Sequence, residues 1–340
     1  MKNLARGRAR HERHEPDSKR LPADEPALNT RSVLLESLGI AVVDFRCHAH
    51  GAADTPEEPN PTHSIVFVRR GVFRRTYRHE SVVADPNHVL FFNAAEPYRY
   101  AHPLPGGDVC TILTVETHRA LELVDRYAPA DAERPDTPFR LGHALSSPRA
   151  LRLHWELLNR VARGAARLAL EDTLTELADE ALACAYRSRD QRERRSASAQ
   201  RRKRELVEAI KLMISERLDR PPSLTELADE FGWSPYHLSR TFHETAGESL
   251  RRYVRHLRAR VAAERLTNGA DNLSGLALDL GYADHSHFTN SFRHEWGLTP
   301  SAFRATHRLP PSSQRSTSSF RMCAAPCDQS PGGTNATGSQ

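Results

Sequence analysis

The chain has 340 residues, enough for about two domains of ordinary size, with 39% apolar and 27% charged residues. That balance fits a water-soluble globular protein and argues against a membrane-embedded one. Apolar runs such as Ile65–Val68 and Val89–Phe92 are four residues long, against about 20 for a membrane span. The formal net charge of +5 favours a polyanionic partner only weakly. Of the 48 basic residues 44 are Arg, a bias that a GC-rich coding sequence produces without any selection for phosphate. Five cysteines, at 47, 110, 184, 323 and 327, follow no disulfide framework. No secretory leader is evident, so a reducing cytoplasm is the expected compartment.

Residues 1–28 carry seven Lys/Arg, three prolines and little apolar content, and are expected to be disordered. From Val33 to about Val115, short runs of β-branched and aromatic residues alternate with turn formers. HSIVFVRRGVF (63–73) and ESVVADPNHVLFF (80–92) are examples, and Asp85-Pro86-Asn87 and Pro105-Gly106-Gly107-Asp108 are strong turn signals. The expectation over 29–145 is a small antiparallel barrel or sandwich. Between Pro148 and Arg187 the period becomes helical, with Leu151, Trp155, Leu158 and Val161 on one stripe and Leu170, Leu174 and Leu177 on another. Gly164 divides two helices, and the segment 146–187 is expected to pack on the barrel or on a second copy. Residues 188–204 are dominated by basic groups and read as a linker. The tail, 309–340, is rich in Ser, Pro and Gly and reads as disordered. Its Cys323 and Cys327 supply two thiols where a metal needs four ligands, or three and water, so they read as incidental.

The stretch 205–308 carries the function. Ser223 with Glu226 three residues on is a capping box that opens a helix with Leu224, Leu227, Ala228 and Phe231 on its apolar face. Gly232 can take the left-handed conformation that ends it. Ser234 then caps a second helix with Pro235 at its first position, and Leu238 and Phe242 point inward. This is a helix-turn-helix over 223–247. The logic returns over 272–297. Leu276-Ala277 match Leu227-Ala228, and Gly281-Tyr282 match Gly232-Trp233. Phe288 and Phe292 replace Leu238 and Phe242 after one inserted residue, and Gly297 matches Gly247. The heptapeptide LTELADE of 224–230 also occurs at 174–180, but no glycine turn or capped second helix follows it there. A third unit is therefore rejected. The region 201–308 holds 17 basic and 14 acidic residues, so charge alone does not mark it.

From about Leu206 to His307 the sequence resembles the AraC/XylS family of bacterial transcription regulators. GYADHSHFTNSFRHEWGLTPSAFR (281–304) is similar to the family signature, and SLRRYVRHLRARVAAERL (249–266) to the long helix joining its two units. HSIVFVRRGVF and LFFNAAEPYRY (90–100) resemble the cupin-like sensor of some members. The resemblance implies an α+β protein: an N-terminal cupin-like β-barrel, then an all-α domain of two helix-turn-helix units joined by a long helix. It implies a DNA-binding regulator that activates or represses promoters, with double-stranded DNA, RNA polymerase, a small-molecule effector and a second copy of the chain as partners. No cofactor and no membrane partner are expected.

The second helix of each unit is then the one that enters the major groove. The side chains opposite the inward positions are Tyr236, Ser239 and Arg240 in the first unit, and His285, Ser286, Thr289 and Asn290 in the second. Arg can hold guanine O6 and N7, and Asn adenine N6 and N7. Family members often carry Arg where Asn290 stands, so either weaker base readout by the second helix or a different base is expected there. Arg255 and Arg258 on the joining helix are expected phosphate contacts. A competing enzyme or metal-sensor reading rests on Cys47, His48 and His50, with Glu57 or Glu58 and one of His63, His88 or His102. Its spacing does not reproduce the metal-cupin pattern, and no nucleophile triad, phosphate loop or paired acids stand out. No catalytic residues and no metal are expected. Arg69, Arg70, Arg74 and Arg75 read either as a cradle for an anion or as solvent-facing strand residues.

Overall fold

The structure is a computed structural model that describes residues 29–49, 51–78, 80–192 and 197–307. The expected N-terminal arm, the tail with its two cysteines and His50 lie outside the described residues.

The N-terminal half is built from strands β1 (Asn29–Ser37), β2 (Ile40–Cys47), β3 (Glu58–Pro59), β4 (His63–Gly71), β5 (Phe73–Tyr77), β6 (Glu80–Ala84), β7 (His88–Phe92), β8 (Pro97–Ala101) and β9 (Asp108–Val115). Helices α1 (Thr117–Asp125) and α2 (Pro129–Ala132) and a last strand β10 (His143–Leu145) follow. One sheet has the order β1-β2-β9-β4-β7-β10 and the other β3-β8-β5-β6. The two sheets stack as an open sandwich, which corrects the expected closed barrel. The chain passes from one sheet to the other at Gly71 and Val72, and β3 and β10, two and three residues long, are too short to carry the ladder around the ends.

Both faces of the larger sheet are covered, which explains why its strands read as continuous apolar runs. Val66, Val68, Leu90 and Phe92 point to the second sheet, where they meet Phe73, Val82 and Ala84. Ile65, Phe67, Val89 and Phe91 point the other way, onto α1 and onto helices α3 (Pro148–Ala162) and α4 (Arg167–Arg192). Gly164, with φ 64°, breaks α3 from α4 as its position in the sequence predicts.

Helix α5 (Ala197–Glu216) follows, so the basic stretch read as a linker is largely helical among the described residues. Its Ala, Arg, Gln and Glu are good helix formers, and Arg201 and Glu205 pair across one turn at 3.0 Å. The remaining elements are α6 (Leu224–Phe231), α7 (Pro235–Ala246), α8 (Leu250–Thr267), α9 (Leu273–Asp279), α10 (His285–Trp296) and α11 (Pro300–Thr306). Two apolar cores form there. The first joins Val207, Ile210 and Ile214 of α5 to Leu227, Leu238, Phe242, Tyr253 and Leu257. The second joins Ala259, Ala263, Leu276, Phe288, Phe292 and Phe303, and Leu151, Trp155 and Leu158 of α3 enter it. The segment 146–187 therefore packs on the sheet with one face and on the second C-terminal core with another. Among the described residues no helix is long and apolar enough to cross a membrane.

Between the halves runs a buried polar seam. Asp85 of the β6–β7 turn accepts from the Tyr253 hydroxyl of α8, and Asn87 Nδ2 donates to the Tyr253 carbonyl at 3.2 Å. Arg260 donates to Asn87 Oδ1 at 2.6 Å and to the Ser146 carbonyl at 2.9 Å. Lys211 of α5 lies 3.2 Å from His88 Nε2. Arg69 pairs with Asp44 and sits 3.9 Å from Glu264 of α8.

Candidate nucleic-acid interface

Each unit is assembled by local chemistry before any packing is counted. Ser223 and Glu226 form the expected capping box, and Gly232 closes α6 in the left-handed region at φ 66°. The Ser234 hydroxyl accepts from the His237 amide and starts α7. In the second unit Asn272 caps α9 and Asp284 caps α10 by the same bond to the third helical amide. Helices α7 and α10 are each 12 residues long and each ends on a left-handed glycine, Gly247 at φ 87° and Gly297 at φ 75°. The inserted residue of the second unit is absorbed in the turn between Gly281 and Asp284, leaving the two helices equivalent position by position.

The inward positions are completely buried: Leu238 and Phe242 in α7, Phe288 and Phe292 in α10. On the opposite face of α7, Tyr236 is 76% exposed and Arg240 is exposed, while Ser239 is half-buried. Arg240 leans on Glu244 at 2.8 Å within its own helix, a pairing worth only about 0.3–0.5 kcal/mol and easily exchanged for another acceptor. On α10, His285, Ser286 and Asn290 are exposed and Thr289 is half-buried. The structure thus places Tyr236, Arg240, His285, Ser286 and Asn290 on two outward faces and Ser239 at the edge of the first, whereas the Thr289 hydroxyl is buried and does not reach the surface. His237 and His287 share those faces. Lys203 of α5 joins Tyr236, His237 and Arg240 around a small cleft of 220 Å³. Sequence reasoning missed Lys203 because its segment was taken for a linker, although its position one helical turn before the apolar stripe of α5 carried the signal.

The joining helix α8 has 18 residues, about 27 Å at ~1.5 Å per residue. Ser249 caps it, and Trp296 Nε1 donates to the Ala259 carbonyl at 3.1 Å, tying α10 to it. Buried His256 lies 2.9 Å from Glu248 and 3.4 Å from Glu295, linking the start of α8 to α10. Arg251, Arg252 and Arg255 are exposed. Arg258 is not available as the expected phosphate contact. It is half-buried, donates to the Leu218 carbonyl at 3.0 Å and the Asp219 carbonyl at 3.1 Å, and stacks over Tyr282. It braces the α5–α6 connection against the second unit. Arg260 is consumed by the seam with the N-terminal half.

The groups of the competing reading do not converge as the sequence placed them. His48 is exposed while its neighbour Cys47 is buried. Buried His63 accepts from the Ala94 amide at 3.1 Å, and buried His88 pairs with Asp85 at 2.8 Å. Glu57 is exposed on the loop before β3. Of the four arginines offered as an anion cradle or a solvent row, Arg70 alone is exposed. Arg69 is the extra residue in a β4 bulge that aims it into the seam. Arg74 pairs with Asp54 at 2.9 Å, and buried Arg75 donates to the Phe91 and Gly142 carbonyls and covers Phe92.

Comparison with known proteins accords with this geometry. A family model described as a helix-turn-helix domain matches residues 227–306. The regulatory protein SoxS of Salmonella typhimurium is 31% identical over 105 residues, 31% of this chain and 96% of that protein. Among solved structures, an AraC-type DNA-binding regulator from Chromobacterium violaceum is 26% identical with a TM-score of 0.29, covering 34% of this chain and 99% of that one. ToxT of Vibrio cholerae is 12% identical with a TM-score of 0.33, covering 80% and 98%. The match to SoxS spans nearly the whole of that protein and 105 residues of this chain. The chain is a DNA-binding transcription regulator and belongs to the AraC/XylS family.

Proposed function

We propose that the chain reads an asymmetric promoter site with α7 and α10 lying in two successive major grooves on one face of the duplex. The observation that carries this reading is the equivalence of the two helices: the same length, the same capping bond to the third helical amide, the same pair of inward positions, and polar outward faces that differ in chemistry. The ~27 Å of α8 is of the order of the ~34 Å between successive major-groove faces. Arg240 supplies a bidentate guanine contact in the first half-site, and Asn290 an adenine contact in the second. Arg255, with Arg251 and Arg252, supplies the phosphate contacts that hold register. RNA polymerase and a second copy of the chain are the further partners of this reading.

Regulation in this reading comes from a small-molecule effector taken by the N-terminal half. The space between its sheets is filled by apolar side chains, so the effector's place is the cleft of 1220 Å³ at the junction. Thr76 and Val83 of the sandwich, Glu208 and Leu212 of α5 and His256 of α8 line it. A ligand touching both walls favours one arrangement of the halves over another, which is what a regulatory ligand must do.

Binding-site selection tests the docking. Arg240→Ala relaxes one base position at a cost of about 1–3 kcal/mol, and Asn290→Ala relaxes another about 10 bp away. If both variants relax the same base pair, or if Arg240→Ala leaves the selected site unchanged, the docking is wrong.

A further inference from the structure

One buried cluster serves neither the DNA-facing helices nor the seam. Cys47 at the end of β2, His102 just beyond β8 and Asp108 at the start of β9 meet at one end of the sandwich, all three buried. Strands β2 and β9 pair antiparallel with Cys47 opposite Asp108, so both side chains leave the sheet on one face. The bridge between Gly51 and His102 ties the loop carrying the imidazole to the segment after β2. His102 Nε2 lies 2.6 Å from Asp108 Oδ1, and the sulfur, the ring nitrogen and a carboxylate oxygen all fall within 4.8 Å of one another. The backbone enforces this meeting. Gly107 has φ 61°, and a Cβ there would fall on the Cys47 carbonyl, so no other residue lets the two strand ends approach. Cys110 Sγ donates to Asp108 Oδ2 at 3.1 Å and fixes the second carboxylate oxygen.

A buried His–Asp pair alone would be an ordinary tie between two strand ends. The thiol changes what the cluster can do. Thiolate, imidazole and carboxylate are the donor set of zinc, whose bonds of about 2.0–2.3 Å place tetrahedral ligand atoms roughly 3.3–3.8 Å apart. The cluster brackets that spacing: Nε2 and Oδ1 sit inside it while a proton joins them, and the sulfur sits within about an ångström of it.

We propose that Cys47, His102 and Asp108 bind one divalent cation of the zinc class, with Cys110 orienting the carboxylate and the fourth position open to a water or another small ligand. Binding takes the thiolate, the neutral imidazole and the carboxylate, so it releases protons. The site goes beyond the DNA-reading proposal and stands or falls without it. It also replaces the His48/His50 set suggested by the sequence, since His48 faces solvent.

Cobalt(II) is the probe, titrated under reducing conditions into untagged full-length protein carrying Cys323→Ser and Cys327→Ser, so that the tail thiols cannot contribute. One equivalent should bind with a thiolate charge-transfer band and the intense ligand-field bands of tetrahedral cobalt, and zinc should displace it. Cys47→Ser should abolish the charge-transfer band, and Asp108→Asn should weaken binding at least ~100-fold. Cys110→Ser should keep the band and stay within ~10-fold of the parent. Absence of the band in the parent protein overturns the proposal without reference to any variant's folding. A band that survives Cys47→Ser, or one lost in Cys110→Ser, overturns the ligand assignment.

Discussion

Replacing Tyr253 with Phe tests whether the buried seam welds the two halves into one cooperative unit. Asp85 is fully buried and accepts from the Asn87 amide at 2.8 Å, from His88 Nδ1 at 2.8 Å and from the Tyr253 hydroxyl of α8. Burial alone would raise its carboxyl, but the His88 ring, the Tyr253 hydroxyl and the Asn87 amide outweigh that and leave it below the usual carboxylate range. The substitution deletes one oxygen, opens no cavity of consequence and leaves a buried carboxylate with one donor fewer. Hydrogen bonds to charged groups contribute about 1.5–3 kcal/mol. At about 2–4 °C per kcal/mol for a chain of this order of size, Tm should fall by roughly 3–12 °C. The assay is calorimetry of the wild type, Tyr253→Phe, Asp85→Asn and the double variant. The cycle should return a coupling of about 1 kcal/mol or more, because the two residues are direct partners across the junction. A coupling below about 0.3–0.5 kcal/mol, the level of independent sites, would refute the weld.

Other consequences follow from single residues. Burial, with Arg69 adding to it, pushes the His154 imidazole down to about 3. The unfolded chain then binds a proton that the native state refuses, so stability should be lost as pH falls below about 6.5, at up to about 1.4 kcal/mol per pH unit. Urea unfolding of His154→Gln should show that much less slope between about pH 6.5 and 5. Gly281→Ala should unfold the second unit in limited proteolysis, because φ is 72° and the added carbon would strike the Asp219 carbonyl. Gly269→Ala, at φ 94° but in open space, should cost only the ~1–2 kcal/mol of the backbone conformation. Arg255→Ala should weaken all DNA sequences alike and lower the salt slope by about 1, whereas Arg258→Ala, which loses two carbonyl partners, should lower Tm instead.

The C-terminal half was legible because its instructions are local. Ser223, Glu226, Ser234 and Asp284 act on amides three residues away, and Gly232 and Gly297 act on their own φ angles, so each signal survives without tertiary context. The repeated LTELADE shows the same rule from the other side. At 174–180 it lies within the uninterrupted α4, because no glycine or capping residue stops the helix after it. The N-terminal half was legible only as strands. Whether they close into a barrel depends on edge pairing between residues far apart, and nothing local in β3 or β10 announces that they are too short. The surroundings of Arg69, Arg75 and Arg258 escape the sequence for a related reason. An arginine's sequence context does not say whether a carbonyl or carboxylate from a distant turn will come to meet it. The cluster of Cys47, His102 and Asp108 is non-local in the same way, because the strand register that joins β2 to β9 is set by the whole sheet.

Helix α8 concentrates these relations, and its four surfaces limit how the protein can be regulated. Tyr253 and Leu257 belong to the first unit's core, and Ala259, Ala262, Ala263 and Leu266 to the second's. Arg260, Glu264 and the Tyr253 hydroxyl face the N-terminal half, and Arg251, Arg252 and Arg255 face solvent. A change in the N-terminal half can reach Arg240 through Glu244, which pairs with it and lines the cleft at the junction. It has a short path to α8, through Asp85, Asn87 and Arg69, and through Trp155 to the core behind α10. What it can alter is the spacing and relative rotation of the two helices. In the proposed docking, a duplex with grooves one turn apart discriminates on both, so a displacement of α8 would separate binding-competent from incompetent states.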